Sequence, residues 1–185
     1  MVLWLTVLLI VLAVFIIGVF VYYYNRFVVL ENRINNSLAQ IDVQLKKRAD
    51  LVPALVKVVK SYAKFEKGVL TEVTKARTAL MNATNTADKV KKGDMLQNTL
   101  KSLFAVAENY PDLKANQNFM HLQTELSAIE DKVAYARQYY NDAVLYLENA
   151  SQKFPGVLFF RMYGRKRKDY LKIPEVQKEM PEIDL

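Results

Sequence analysis

Asp42, Gln44, Lys46, Arg48 and Asp50 form a polar block within residues 42–50. Catalysis needs a base, a nucleophile or a metal held in a dry pocket, and this block offers charge without histidine, cysteine or metal-ligand spacing. Two readings fit it. In the structural one, Asp50 caps a helix while Arg48 and Asp42 form hydrogen bonds or ion pairs that fix its first turn. In the functional one, Asp42, Gln44, Arg48 and Asp50 bind a partner peptide or a small anion. The single histidine, His121, has no glutamate three residues before it. The Glu-x-x-His pairs of metal-carboxylate helical bundles are therefore missing, and His121 is expected to be solvated. No Gly-rich phosphate loop, GxSxG turn or HExxH helix occurs. The sequence reads as a non-enzymatic protein with no cofactor and no metal.

A second constellation lies near the C-terminus. Val157, Leu158, Phe159, Phe160, Met162 and Tyr163 run directly into Arg165, Lys166, Arg167 and Lys168. Residues 157–168 carry five positive charges (Arg161 is the fifth) and no negative ones, and +7 less these five leaves +2 for the rest of the chain. Aromatic and cationic side chains in that order suit an anionic lipid leaflet. Phe159, Phe160, Arg161, Arg165, Lys166, Arg167 and Lys168 are the candidate lipid contacts, the alternative being a solvated charge run in a flexible tail. Nucleic-acid binding fits poorly, because no basic face extends along a helix. From Asp169 to Leu185 the chain, with Pro174 and Pro181, is expected to be extended or disordered.

These groups must be positioned by the elements around them. Residues 2–21 form an uncharged run rich in Leu, Val, Ile and Phe. At about 1.5 Å per residue, 20 helical residues span roughly 30 Å, the thickness of a bilayer's hydrocarbon core. Tyr22, Tyr23 and Tyr24 follow, as suits a headgroup layer. A cleaved signal would want a basic start, a shorter apolar core and a small-residue cleavage site, and none is present. Arg26 and Arg33 flank the run on its C-terminal side only, which predicts an outward N-terminus and a cytoplasmic body at the cell membrane.

The remainder is helix-forming, with 5 Gly, 5 Pro and no Cys in 185 residues. Apolar stripes recur at helical spacing: Leu30, Ile34, Leu38, Ile41 and Leu45; Leu55, Val59, Tyr62, Val69, Val73, Ala76 and Leu80; and Leu96, Leu100, Leu103 and Ala107. From Phe119 a heptad seam of coiled-coil type runs through Leu122, Leu126, Ile129, Val133, Ala136, Tyr140, Ala143, Leu147 and Ala150. Four amphipathic helices can bury these stripes against one another. Asp50 is expected to cap the second helix with Pro53 in its first turn, a continuous helix kinked at Pro53 being the alternative. Residues 82–94 read as a polar loop with Asp94 as the next cap. Tyr110–Pro111 marks a turn, and Phe154, Pro155 and Gly156 stop the last helix.

The chain resembles the LemA family over nearly its whole length. The residues that carry the resemblance are Ile41 Asp42 Val43 Gln44 Leu45 Lys46 Lys47 Arg48 Ala49 Asp50 Leu51 Val52 Pro53, then Leu55, Val59 Lys60 and Tyr62 Ala63. Further agreement comes from Glu108 Asn109 Tyr110 Pro111 Asp112 Leu113 Lys114 Ala115, Phe119 with Leu122 Gln123, Tyr140 Asn141, and Phe154 Pro155. The family commonly has a histidine where Phe65 precedes Glu66, and Tyr and Asn where Leu147 and Glu148 stand. The resemblance implies a single membrane helix followed by a four-helix bundle. The expected architecture is all-α: a transmembrane anchor over 1–24, an antiparallel four-helix bundle over 25–156, and an aromatic and basic juxtamembrane segment with a tail over 157–185. Two functions compete for it. One is an interaction or scaffold module that meets an unknown protein partner at the cytoplasmic face of the membrane. The other is a structural protein that self-associates as a homo-oligomer and organises or remodels the bilayer.

Overall fold

A computed structural model describes residues 1–62 and 66–171, and every regular element among them is helical. The helices are α1 (Val2–Lys60), α2 (Lys67–Met81), α3 (Thr86–Ala107), α4 (Pro111–Lys114), α5 (Gln117–Gln152) and α6 (Gly156–Met162). Phe65 and the residues after Leu171, with Pro174 and Pro181, lie outside the described residues, so the expectations placed on them stay at the level of sequence.

The chain divides into two compact units. One comprises Met1–Ser37 with Gln138–Leu171. Its N-terminal apolar stretch is exposed from residue 2 to residue 18, and none of the apolar window of α1 that is long enough to cross a membrane is buried. Beyond it, Phe27, Leu30 and Ile34 of α1 are buried, as are Tyr140, Ala143, Val144, Leu147 and Ala150 of α5 and Phe160 of α6. The other unit contains Leu38–Arg137. Its buried residues include Ile41, Leu45, Val52, Leu55 and Val59 of α1, Leu70, Val73, Ala76 and Leu80 of α2, Leu96, Leu100 and Leu103 of α3, and Leu126, Ile129 and Val133 of α5. Most stripe residues fall where their spacing puts them, with adjustments. Leu70 rather than Val69 reaches the core of α2, Leu38, Tyr62 and Leu122 are only half-buried, and Ser37 is buried beside Leu38.

Three expected boundaries are corrected. Asp50 does not cap a new helix: α1 runs unbroken from Val2 to Lys60 with Pro53 inside it. Proline has no N–H to give the carbonyl four residues earlier, here that of Ala49, which is fully buried. Arg77 of α2 supplies the missing donor, its Nε lying 2.8 Å from the Ala49 oxygen. A helix can therefore pass through Pro53 because a residue 28 positions away satisfies the carbonyl that the proline orphans. Replacing Arg77 by Met is expected to cost about 1–3 kcal/mol, the penalty of a buried acceptor left without a donor. Urea unfolding checks this, and a loss below about 0.5 kcal/mol would mean that another group satisfies Ala49.

The stripe from Leu55 to Leu80 is likewise divided, because α1 stops at Lys60 and α2 starts at Lys67. Tyr62, beyond the end of α1, donates to the Asp112 carbonyl at 3.3 Å and accepts from Asn116 Nδ2 at 3.1 Å. Finally, Asp94 is not a cap. Helix α3 begins eight residues before it, capped by Asn85, whose side chain accepts from the Asp88 N–H at 2.8 Å. Tyr110 precedes α4 with Pro111 as its first residue, and α5 ends at Gln152 just before Phe154, Pro155 and Gly156.

Candidate functional site

The helical period separates the polar block into two faces. Positions 44 and 48 are four apart and share one side of α1, while 42, 46 and 50 share another. On the inner side Arg48 is fully buried. Its Nη1 donates to the Gly93 carbonyl of α3 at 3.3 Å, and its Nη2 forms an ion pair with Glu130 of α5. A Cβ on Gly93 would lie 2.6 Å from Leu45 Cδ2, so the missing side chain is what lets this part of α3 approach Leu45 of α1. Arg137 of α5, 7% exposed, pairs through Nη2 with Asp94 of α3. Burial pushes the Arg48 guanidinium below its ordinary pKa. Glu130 opposes that shift, Arg137 adds to it and Asp94 offsets it. Two guanidinium and two carboxylate groups from three helices therefore balance one another, and a buried Arg48 has no surface left to offer a ligand.

On the outer side Asp42 accepts from Lys89 of α3 at 2.5 Å, and Asp50 lies 3.8 Å from Lys46. Gln44 is half-buried. The four expected binding residues do not meet at one point. Asp42, Lys46 and Lys89 instead edge a groove of about 350 Å³ whose apolar lining includes Val43, Leu80 and Met81. The partners Asp94, Glu130 and Arg137 were missed in the sequence, where nothing links Arg48 to a glutamate 82 residues on. His121 is exposed, 3.9 Å from Glu125. Among the described residues no group of three His, Cys, Asp or Glu side chains converges as a metal site would require.

In the other unit the aromatic segment is seated on α1. The Phe159 ring stacks on Tyr23 with centroids 5.1 Å apart, and Phe160 meets Phe27 edge-on at 5.4 Å. Tyr163 sits against Phe20 at 5.1 Å, and its hydroxyl donates to the Phe20 carbonyl at 2.8 Å. Arg165 pairs with Glu31 and lies over the Tyr24 ring, 5.5 Å from its centroid. Of the residues expected at lipid, Phe159, Phe160 and Arg165 are thus engaged by the protein itself, while Arg161, Lys166, Arg167 and Lys168 are exposed. The chain then returns along α5. Tyr140 donates to the Asp169 carbonyl at 2.9 Å, and Asn141 makes two hydrogen bonds to the backbone of Leu171, of 3.0 and 2.9 Å. Burial, with Asp169 adding to it, pushes the Tyr140 phenol above its ordinary pKa, which suits a hydroxyl kept as a donor.

The LemA family model matches residues 37–185. Protein LemA of Metamycoplasma hominis is 28% identical over 133 residues, covering 68% of this chain and 59% of its own length. Magnetosome protein MamQ 2 of Paramagnetospirillum magneticum is 24% identical over 173 residues, covering 80% of this chain and 64% of its own. Magnetosome protein MamQ of Magnetospirillum gryphiswaldense is 22% identical over the same length, with the same coverage. The chain spans about three fifths of the length of these relatives.

Proposed function

Because the chain belongs to the LemA family, we propose that it is a membrane-tethered, non-enzymatic interaction module, its body an antiparallel four-helix bundle on the cytoplasmic face. The observation that carries this reading is the apolar stretch of α1. It is long enough to span a bilayer, is exposed where a soluble protein would cover it, and continues into the polar body as one uninterrupted helix. The buried charges are consumed in ion pairs, so a partner would meet surface features such as the groove floored by Val43 and Met81, 51% and 45% exposed. The module presents that groove to a partner protein at the membrane.

Self-association at the bilayer is the second reading, and one observation favours it. Tyr139 and Tyr146, spaced to share one face of α5, are 51% and 57% exposed. Two measurements test the proposal. Protease added to right-side-out vesicles should leave the body intact, and digestion there would overturn the cytoplasmic orientation. A photo-crosslinker at Val43 should capture a specific protein in native membranes. Adducts confined to copies of the chain itself, recurring from position 139, would favour self-association.

A further inference from the structure

We propose that the outer face of α6 and the basic run after it form a second membrane contact, seated on an anionic leaflet beside the exit of the apolar helix. The proposal rests on the reading that residues 2–21 cross the bilayer. If they do, Phe20 lies at the hydrocarbon boundary and Tyr23, Tyr24 and Phe27 lie in or just beyond the headgroup layer. Helix α6 is fastened to these residues: Tyr163 to the Phe20 carbonyl, Phe159 to Tyr23, and Phe160 to Phe27. Its depth is therefore set by the anchor.

One side of α6 is consumed by that seat, and the other is apolar and uncovered. Leu158 and Met162, four apart on α6, are 58% and 59% exposed, and Phe154, in the turn before the helix, is 81% exposed. Arg161 on α6 and Lys166, Arg167 and Lys168 in the segment after it are exposed, none with a carboxylate ion pair among the described residues. An exposed apolar face on a helix seated at headgroup depth, with Arg161 on it and a basic run directly after it, is the arrangement of a helix that lies in the interface, its apolar side reaching the acyl boundary and its cations on lipid phosphates. A protein partner would need to fit between this face and the bilayer surface that the anchor already brings to it. Arg165 belongs to the seat, because its charge is spent on Glu31.

Depth-resolved tryptophan quenching of the full-length chain in vesicles tests this. The only tryptophan is Trp4, inside the apolar stretch. In the unsubstituted chain, quenching of Trp4 by lipids brominated deep in the acyl chain reports the anchor. In a Trp4→Phe/Leu158→Trp variant, lipids brominated near the headgroups should quench the indole in phosphatidylglycerol-containing vesicles and shift its emission to the blue. Adding Arg161→Gln, Lys166→Gln, Arg167→Gln and Lys168→Gln should weaken the preference for anionic over neutral vesicles by about fivefold per charge removed, and high salt should do the same. If Trp4 is quenched but the indole at position 158 emits as in water, the second contact is wrong and the anchor stands. If Trp4 itself escapes quenching, both fall.

Discussion

Replacing Arg48 by Met lowers the stability of the folded chain by about 3 kcal/mol, while replacing Arg48 and Glu130 together by Met recovers most of that loss. The single change strips Glu130 of its guanidinium and the Gly93 carbonyl of its donor, and breaking a buried pair from one side costs about 3–5 kcal/mol. Glu130 is 23% exposed, so water relieves part of the penalty and the lower end applies. The double change removes both charges and leaves two flexible apolar side chains in their place, an exchange that is often neutral. Arg48→Lys should resemble Arg48→Met more than the parent, because an ammonium cannot span two acceptors as a planar fork does. Urea unfolding of the full chain in detergent micelles gives the double-mutant cycle, with an unchanged denaturant slope as the sign that only stability moved. If Arg48→Met unfolds like the parent yet abolishes the adducts captured from Val43, Arg48 is a binding residue and its ion pair is incidental.

That pair shows where reading the sequence stops. The apolar stripes of α1, α3 and α5 are legible because helical spacing is a local property that burial then follows. So is the long apolar stretch of α1, whose signal is a run of residue types. The boundaries misread at Asp50 and Asp94 arise where a distant residue decides a local outcome. Pro53 and Asp50 read as a helix start, but Arg77 arrives from α2 to satisfy Ala49 and the helix continues. Gly93 and Asp94 read as loop and cap, yet Gly93 is the small residue that admits Leu45, and Asp94 faces Arg137. The polar block reads as one site along the chain, whereas a helix turns its members to opposite sides. In the basic segment charge and aromaticity were visible, but the division between what grips α1 and what faces outward depends on α6 being helical and seated by Gly156.

Gly156→Ala is expected to unseat α6. A Cβ at this position would lie 2.2 Å from the Ala150 carbonyl oxygen and 3.1 Å from Tyr23 Cε1, so backbone rather than a yielding side-chain tip must move. Overpacking of this kind costs about 2–3 kcal/mol. The aromatic contacts that hold α6 contribute about 0.5–1.5 kcal/mol each beyond their burial, so the clash competes with the seat and not with the whole fold. The amides of α6 should exchange with deuterium about a hundredfold faster, since 1.4 kcal/mol is a factor of ten, while α2 and α3 keep the protection of the parent. Gly68→Ala is the control: it lies in α2, where an added Cβ meets nothing within 4 Å, and the gain in helix propensity makes it neutral or stabilising. Equal exchange in the two variants would show that the turn after α5 absorbs the added methyl and that Gly156 does not set the seat. Faster exchange confined to α6, with the anionic-lipid preference lost and Trp4 still buried in the bilayer, would connect one glycine's close approach to the second membrane contact.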